Sequence, residues 1–300
     1  MRRTSSRTRA RSAGAIGAAA CAAALLFHPP ALGAAAGSET MASAEHRVIK
    51  VAHRGGAGLA PENTLAAFRV GLEQGADALE LDVHLSRDGE LVVIHDPSLA
   101  RTTNAAGEVG GMTLAELRTL DASARYFGPP VGRQLIPTLQ EVIDLAKGRA
   151  SLQIEIKVRA GGTRYAGIES RVVETLRQSA MVDEAVILSF DFPTLAAVKA
   201  LEPRLRTCAL VSRAYLQSVG KRGPAAVAGE MAALGAAYVG VEKSWLLEPL
   251  YRELRSRGLG VGVWTVDDPE DMRRFAAMGV DFITSNRPDL LREALGATGP

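Results

Sequence analysis

The sequence predicts a TIM (β/α)8 barrel, an α/β fold, with a small insertion after a hairpin on its second strand. Three observations carry this expectation. From Arg47 to about Leu295 no linker or low-complexity run interrupts roughly 250 residues, the usual length of such a barrel. Short runs rich in Val and Ile alternate with stretches of helical periodicity. Nine strand candidates appear where eight are needed, and the surplus has a local cause. Only Ser-Arg-Asp-Gly-Glu separates Leu85 from Leu91, which leaves no room for a helix.

The elements follow in order. Val48–His53 reads as a strand and Thr64–Gln74 as a helix after Pro61, capped by the side chain of Asn63 or Thr64. Ala78–Leu85 is a strand. Asp88-Gly89 is a two-residue turn signal that folds Leu91–His95 back antiparallel, with Arg87 opposite Glu90 and Asp82 opposite His95. Residues 97–136 are aperiodic and rich in Gly, Thr and Pro, with one helical piece, Leu114–Leu120, and read as the insertion over one barrel end. Then strands and helices alternate: helix Leu139–Ala146, strand Leu152–Lys157, helix Ile168–Gln178, strand Ala185–Phe190, helix Pro193–Leu201, strand Thr207–Val211, helix Ala225–Leu234. Strand Tyr238–Glu242, helix Leu247–Arg257, strand Gly260–Val266, helix Glu270–Met278 and strand Asp281–Thr284 complete the series.

Residues 1–36 hold five arginines (Arg2, Arg3, Arg7, Arg9, Arg11) and no acid, then an apolar run from Ala15 to Phe27 and small residues. That order describes an export signal. The run is shorter than the ~18–20 residues a membrane-spanning helix needs. Residues 37–46 are small and polar, a linker, and 47–298 form the barrel domain with its insertion over about 97–136. The expected location is outside the cytoplasm, secreted or in the periplasm or cell envelope, with no stable membrane span in the mature chain. Removing the five arginine charges from the formal +2 leaves −3, so no basic excess exists to hold a nucleic acid by its phosphates. Charged residues at 23% and hydrophobic ones at 47% exclude a disordered chain, and a mean hydropathy of +0.06 excludes a multi-pass membrane protein. Cys21 falls in the signal, which leaves Cys208 alone in an apolar stretch, a buried core residue rather than a nucleophile.

In Leu79-Glu80-Leu81-Asp82-Val83 one face is apolar and the other carries two acids. In a barrel wrapped by helices the apolar face meets the helices and the acids point inward. Gln153, Glu155 and Lys157 share a face in the same way. Three carboxylates meeting at one rim repel strongly unless compensated, either by a hard divalent cation such as Mg²⁺ or Ca²⁺ or by ion pairs of Glu155 with Lys157 or Arg54. His53 and His95 end two strands beside these acids and suit paired acid and base work near neutral pH. His84 shares parity with Glu80 and Asp82 but lies farther out, a weaker candidate for substrate contact. Arg54 fits a phosphate contact through its planar fork, Lys157 is a second cation, and Trp264 can wall the pocket. Gly56-Ala57-Gly58-Leu59-Ala60-Pro61 mimics a dinucleotide fingerprint, but Pro61 replaces the third glycine.

Read in order, His53-Arg54-Gly55, Pro61-Glu62-Asn63-Thr64, Gly75-Ala76-Asp77, Glu80-Leu81-Asp82-Val83, Asp88-Gly89, Val92-Val93-Ile94-His95-Asp96, Ile136-Pro137-Thr138-Leu139, Glu155-Ile156-Lys157, Ser189-Phe190 and Trp264-Thr265-Val266 resemble the glycerophosphodiester phosphodiesterases. The match runs from about Ile49 to Asp289. The resemblance implies a TIM barrel and metal-dependent hydrolysis of small-molecule glycerophosphodiesters to glycerol 3-phosphate and an alcohol. Carried over by position, Glu80, Asp82 and Glu155 bind one divalent cation, Ca²⁺ or Mg²⁺, His53 and His95 form the acid-base pair, Arg54 and Lys157 hold phosphate, and Glu62 lies near the site. A related phospholipid head-group phosphodiesterase and a non-catalytic exported binder of glycerophosphodiesters are the alternatives. The complete set of acids and histidines speaks against the silent binder.

Overall fold

In the computed structural model, which describes residues 47–296, the strands close into a ring. The export signal over residues 1–36 and the linker over residues 37–46 lie outside the described residues, as do residues 297 and 298 of the predicted domain. The elements run β1 (Ile49–Ala52), α1 (Leu65–Glu73), β2 (Ala78–Leu85), β3 (Leu91–Val93), α2 (Leu114–Leu117), α3 (Leu139–Ala146), β4 (Ser151–Ile156), α4 (Ile168–Gln178), β5 (Ala185–Ser189) and α5 (Phe192–Leu201). They continue with β6 (Arg206–Val211), α6 (Arg213–Ser218), α7 (Pro224–Ala233), β7 (Tyr238–Glu242), α8 (Glu248–Ser256), β8 (Gly260–Trp264), α9 (Pro269–Met278), β9 (Phe282–Ser285) and α10 (Pro288–Leu295).

Eight of these strands are parallel. The order β2-β4-β5-β6-β7-β8-β9 closes through β1, which pairs with both β9 and β2. Helices join successive strands, and the fold is the predicted TIM barrel. Polar side chains start the helices by accepting from otherwise orphaned N–H groups. Thr64 caps α1, taking the Ala67 N–H at 3.2 Å, Thr138 and Glu141 form a reciprocal box at α3, and Asp191 and Asp268 cap α5 and α9.

Strand alternation divides the core into two layers. Leu79, Leu81, Val83, Leu152, Ile154 and Ile156 pack outward under the helices. Val51, Ala78, Val186, Leu188, Leu210 and Phe282 fill the lumen, where Cys208 is fully buried as expected. Gly262 makes room for the Phe282 ring there, because a Cβ at that position would overlap it. The insertion carries a small core of its own, with Ile94, Leu99, Val109, Leu117 and Ile136 packed on Val92.

The hairpin departs from the expected register by one residue. Val83 pairs with Val93 and Leu85 with Leu91, so Asp82 sits opposite Ile94, whose N–H donates to the Asp82 carbonyl at 3.0 Å. The turn is the cause: Arg87-Asp88-Gly89 form a three-residue connection with Gly89 at φ +82°, not a two-residue one. The return strand also stops at Val93, and β8 stops at Trp264. Helices α6 and α10 have no counterpart in the sequence reading.

Candidate active site

β1 ends in one 3-10 turn, His53–Gly55, at the barrel rim. Arg54 within it is left-handed, φ +50°, a conformation that costs a non-glycine residue about 1–3 kcal/mol unless its surroundings impose it. Here they do: its N–H donates to Glu80 Oε2 at 2.8 Å, and its carbonyl accepts from the Asn63 N–H at 3.0 Å. Asn63 is left-handed as well, φ +56°, and its side chain clasps Asp82, with Nδ2 donating to Oδ2 at 2.8 Å. The helix cap is therefore Thr64 alone, and Asn63 serves the acid cluster.

Glu80 and Asp82 share the inner face of β2. Asp82 lies beside Glu155 in parallel register, and Glu80 beside Gln153. One ligand oxygen from each of Glu80, Asp82 and Glu155 lies within 4.8 Å of the others, and all three residues are buried. This cluster can hold a metal ion. Lys157 Nζ stands 2.9 Å from Asp82 and 2.7 Å from Glu155, while Arg54 Nε is 3.6 Å from Asp82.

The charges are strongly unequal. Burial, with Asp82 and Glu155 close by, pushes the Glu80 carboxyl well above its ordinary value. Burial also raises Glu155 to about 7, against the pull of Lys157. Burial opposes the Asp82 charge too, but Lys157, His95 and Arg54 outweigh it and hold Asp82 well below the usual carboxylate range. Three buried acids thus meet two fixed cations, and two of the acids resist ionising without further positive charge. Asp82 Oδ1, though beside Lys157, satisfies no hydrogen-bond geometry. Three clustered oxygen donors, two of them held back from ionising for want of positive charge, suit a hard divalent cation.

His53 and His95 line a cavity of about 160 Å³ together with Arg54, Glu80 and Glu155. Leu188, Phe190, Leu210, Trp264 and Phe282 form its opposite, apolar wall, and the Phe190 and Trp264 rings meet edge to face at 5.6 Å. Hydrogen-bond bookkeeping assigns the histidine tautomers. Asn286 Nδ2 donates to Asp267 at 2.8 Å, so its Oδ1, 2.6 Å from His53 Nδ1, accepts. His53 carries its proton on Nδ1 and presents Nε2 as a lone pair, 3.9 Å from Glu80. Burial, helped by Arg54, lowers the His53 pKa to about 4 and keeps the ring neutral. His95 instead gives its Nδ1 proton to the Asp96 carboxylate at 2.6 Å, and Asp96 in turn accepts from Arg101 Nε at 2.7 Å.

The family model for the glycerophosphoryl diester phosphodiesterase family matches residues 53–290. The chain belongs to the glycerophosphoryl diester phosphodiesterase family. A glycerophosphodiester phosphodiesterase of Caldanaerobacter subterraneus subsp. tengcongensis is 35% identical over 250 residues, 82% of this chain and 96% of that protein. The crystal structure of a glycerophosphodiester phosphodiesterase from Agrobacterium tumefaciens superposes with a TM-score of 0.69 at 31% identity, covering 82% of this chain and all of that one. A phosphodiesterase from Oleispira antarctica, solved with the product sn-glycerol-3-phosphate, gives 0.70 at 29% identity over 82% of this chain and 96% of its own. As a member of the family the chain is a phosphodiesterase of glycerophosphodiesters.

Within this phosphodiesterase the residues singled out from the sequence converge. His53, His95, Glu80, Glu155, Arg54, Lys157 and Trp264 line one recess system, Asp82 lies buried beside it against Lys157, and Glu62 backs it by accepting from Arg54 Nη1 at 2.8 Å. His84 is fully buried: Nε2 donates to the His95 carbonyl at 3.0 Å, and Nδ1 accepts from the Tyr165 hydroxyl at 2.9 Å. It buttresses His95. The roles of Asn63, Asp96, Arg101, Asp267 and Asn286 escaped the sequence reading. Asn63 left a signal as a cap candidate within Pro61-Glu62-Asn63-Thr64, and Asp96 as the acid that follows His95. Among the described residues no helix is long and apolar enough to cross a membrane.

Proposed function

We propose that this exported enzyme hydrolyses glycerophosphodiesters to glycerol 3-phosphate and an alcohol, using Ca²⁺ or Mg²⁺ held by Glu80, Asp82 and Glu155 and the acid-base pair His53 and His95. The observation that carries the reading is the unlike support of the two histidines beside one buried acid cluster. A neutral amide stands behind His53 and a carboxylate behind His95.

The residues divide the work as follows. Arg54 and Lys157 hold a phosphate oxygen, and the buried, unpartnered Arg54 Nε is free to donate one more hydrogen bond. A bound divalent cation supplies charge neutralisation at a non-bridging phosphate oxygen. Neutral His53 takes the proton from the attacking oxygen through Nε2; attack by water gives glycerol 3-phosphate directly, and attack by the neighbouring glycerol hydroxyl gives a cyclic phosphate that a second addition of water opens to the same product. As the new P–O bond forms, the bond to the leaving alcohol breaks, and His95 gives that oxygen a proton. Burial lowers the His95 pKa, Lys157 and Arg54 lower it further, and Asp82 and Asp96 oppose them. An arriving phosphate anion adds to their pull and favours the protonated acid. The apolar wall with Trp264 packs the carbon side of the glycerol, and the cavity of about 160 Å³ has room for a glycerol-sized group.

Export, to the medium or the cell envelope, rests on the basic start and apolar run of residues 1–36. The deciding experiment is release of glycerol 3-phosphate from glycerophosphocholine, with chelator and then with Ca²⁺ or Mg²⁺ restored. Release that stops with chelator and returns with metal is expected. No release with any divalent cation from folded protein would overturn the reading.

A further inference from the structure

A second recess, of about 340 Å³, opens beside the catalytic cavity and shares His95, Glu155 and Phe190 with it. His53 and Trp264 line only the first recess, while Arg159, Gly161 and Asp191 line only the second. The two are halves of one cleft, with His53 in the first half only and His95 at the junction of both. In-line displacement at phosphorus puts the attacking and leaving oxygens on opposite sides. With His53 drawing the proton from the attacking oxygen, the leaving alcohol lies on the far side of His95, in the second recess.

The charges lining that recess are nearly all spent. Lys157 pairs with Asp82 and Glu155 and is the cation already assigned to the reacting phosphate. Asp191 accepts from the Thr194 N–H at 3.0 Å and its hydroxyl at 2.9 Å, and it pairs with Arg164 at 3.5 Å. Arg159 makes no ion pair among the described residues. Its guanidinium lies 4.7 Å from the centre of the Tyr165 ring, a stacking that restricts it while leaving its donors open. Its backbone is tied as well, with its N–H donating to the Thr163 carbonyl at 2.8 Å across the glycine-rich turn.

We propose that this recess is the subsite for the leaving alcohol and that Arg159 selects alcohols bearing an anionic substituent, a carboxylate or a second phosphate. The inference rests on the glycerophosphodiesterase reading and adds the preferred class of head group. Glycerophosphoserine and glycerophosphoethanolamine are the matched probes, since their leaving alcohols differ by one carboxylate.

The measurement is the ratio of kcat/KM for the serine diester over the ethanolamine diester, at low salt. In Arg159→Gln the ratio should fall about fivefold, the scale of a solvent-exposed ion pair, mainly through KM. Arg159→Lys should restore most of it, and Arg159→Glu should lower it below the Gln value. The wild-type ratio should also shrink as salt is raised. Variants that keep the wild-type thermal midpoint yet leave the ratio unchanged would overturn the proposal, as would an equal loss on both substrates. Turnover of neither diester by the unaltered chain would instead overturn the parent reading, and this one with it.

Discussion

Asn286 holds His53 by its amide oxygen, 2.6 Å from Nδ1, and Asp267 fixes that amide from behind by accepting its Nδ2 at 2.8 Å. Asp267 also accepts the Asn286 backbone N–H and the Ser285 hydroxyl, which fix its carboxylate, so a flipped amide would set its oxygen against Asp267 Oδ2. The orientation keeps the His53 proton on Nδ1 and its lone pair on the cavity side.

Replacing Asn286 by Leu removes the acceptor and frees the ring to adopt the other tautomer. The expected result is a fall in kcat of about 100-fold, the low end of what general base catalysis contributes, with KM little changed. Asn286→Asp keeps an acceptor and should retain far more activity than Asn286→Leu. Steady-state kinetics on glycerophosphocholine decide it: equal kcat in the Leu variant and wild type would remove Asn286 from any part in positioning His53.

The barrel was legible because burial on two faces imposes simple rules. In β2 the outer positions Leu79, Leu81 and Val83 had to be apolar to meet helices, so Glu80 and Asp82 could only face inward, and β4 repeats the pattern. His53 and His95 were legible because each follows a strand. Asn286 was not, since the contact it makes spans 233 positions of sequence and closes only when β9 meets β1. Arg101 lay in the aperiodic insertion, where no period assigns a direction to a side chain. The hairpin register turned on whether the connection held two residues or three, a choice Asp88-Gly89 leaves open. Helix α10 escaped because Pro288 opens it within a short polar run that reads as loop.

The acid cluster predicts a binding signature independent of turnover. A cation that binds only the folded state raises the unfolding midpoint by mass action. Ca²⁺ or Mg²⁺ should therefore raise the midpoint of the wild type, and Glu80→Gln or Glu155→Gln should weaken that response at least tenfold in cation concentration, an effect on the order of 1.4 kcal/mol. Thermal unfolding across a cation titration reads this directly. Wild-type affinity in Glu155→Gln would exclude Glu155 as a ligand.

The insertion is tethered to the site by Arg101, which binds both oxygens of Glu62 at 2.7 Å and Asp96 at 2.7 Å. Burial opposes the charge on both acids, but Arg101 with His95 holds Asp96 down at about 2, and Arg101 with Arg54 holds Glu62 below its usual value. A depressed carboxyl stabilises the fold fully above its unfolded pKa and loses that contribution as pH falls toward its folded one. Arg101→Ala should cost about 1 kcal/mol at pH 7, allowing for solvent screening of a half-exposed guanidinium. The gap between variant and wild type should narrow as pH drops from about 5 toward 2. Denaturant midpoints at pH 7 and pH 3 test this, and a gap independent of pH would assign the tether to packing instead of charge.

Gly55 closes the turn that aims the Arg54 N–H at Glu80, and two constraints exclude any other residue there. Its φ is +84°, and a Cβ would stand 2.6 Å from the Phe68 nitrogen and 2.7 Å from the Ala67 carbonyl carbon, both backbone atoms of α1. Backbone cannot swing aside as a side chain can. Gly71 on the same helix faces back, where its own Cβ would meet the Gly55 carbonyl oxygen at 2.6 Å, so helix and turn touch through two glycines. Gly55→Ala should destabilise the fold by about 2–4 kcal/mol, the sum of left-handed strain and overpacking. Because the displaced turn carries His53 and Arg54, surviving folded protein should also lose kcat. Gly89→Ala is the control: it shares the left-handed backbone at φ +82° but meets no atom within 4 Å, so it should lose only the strain part and leave kcat intact. Equal destabilisation by the two variants would mean that the contact with α1 contributes nothing.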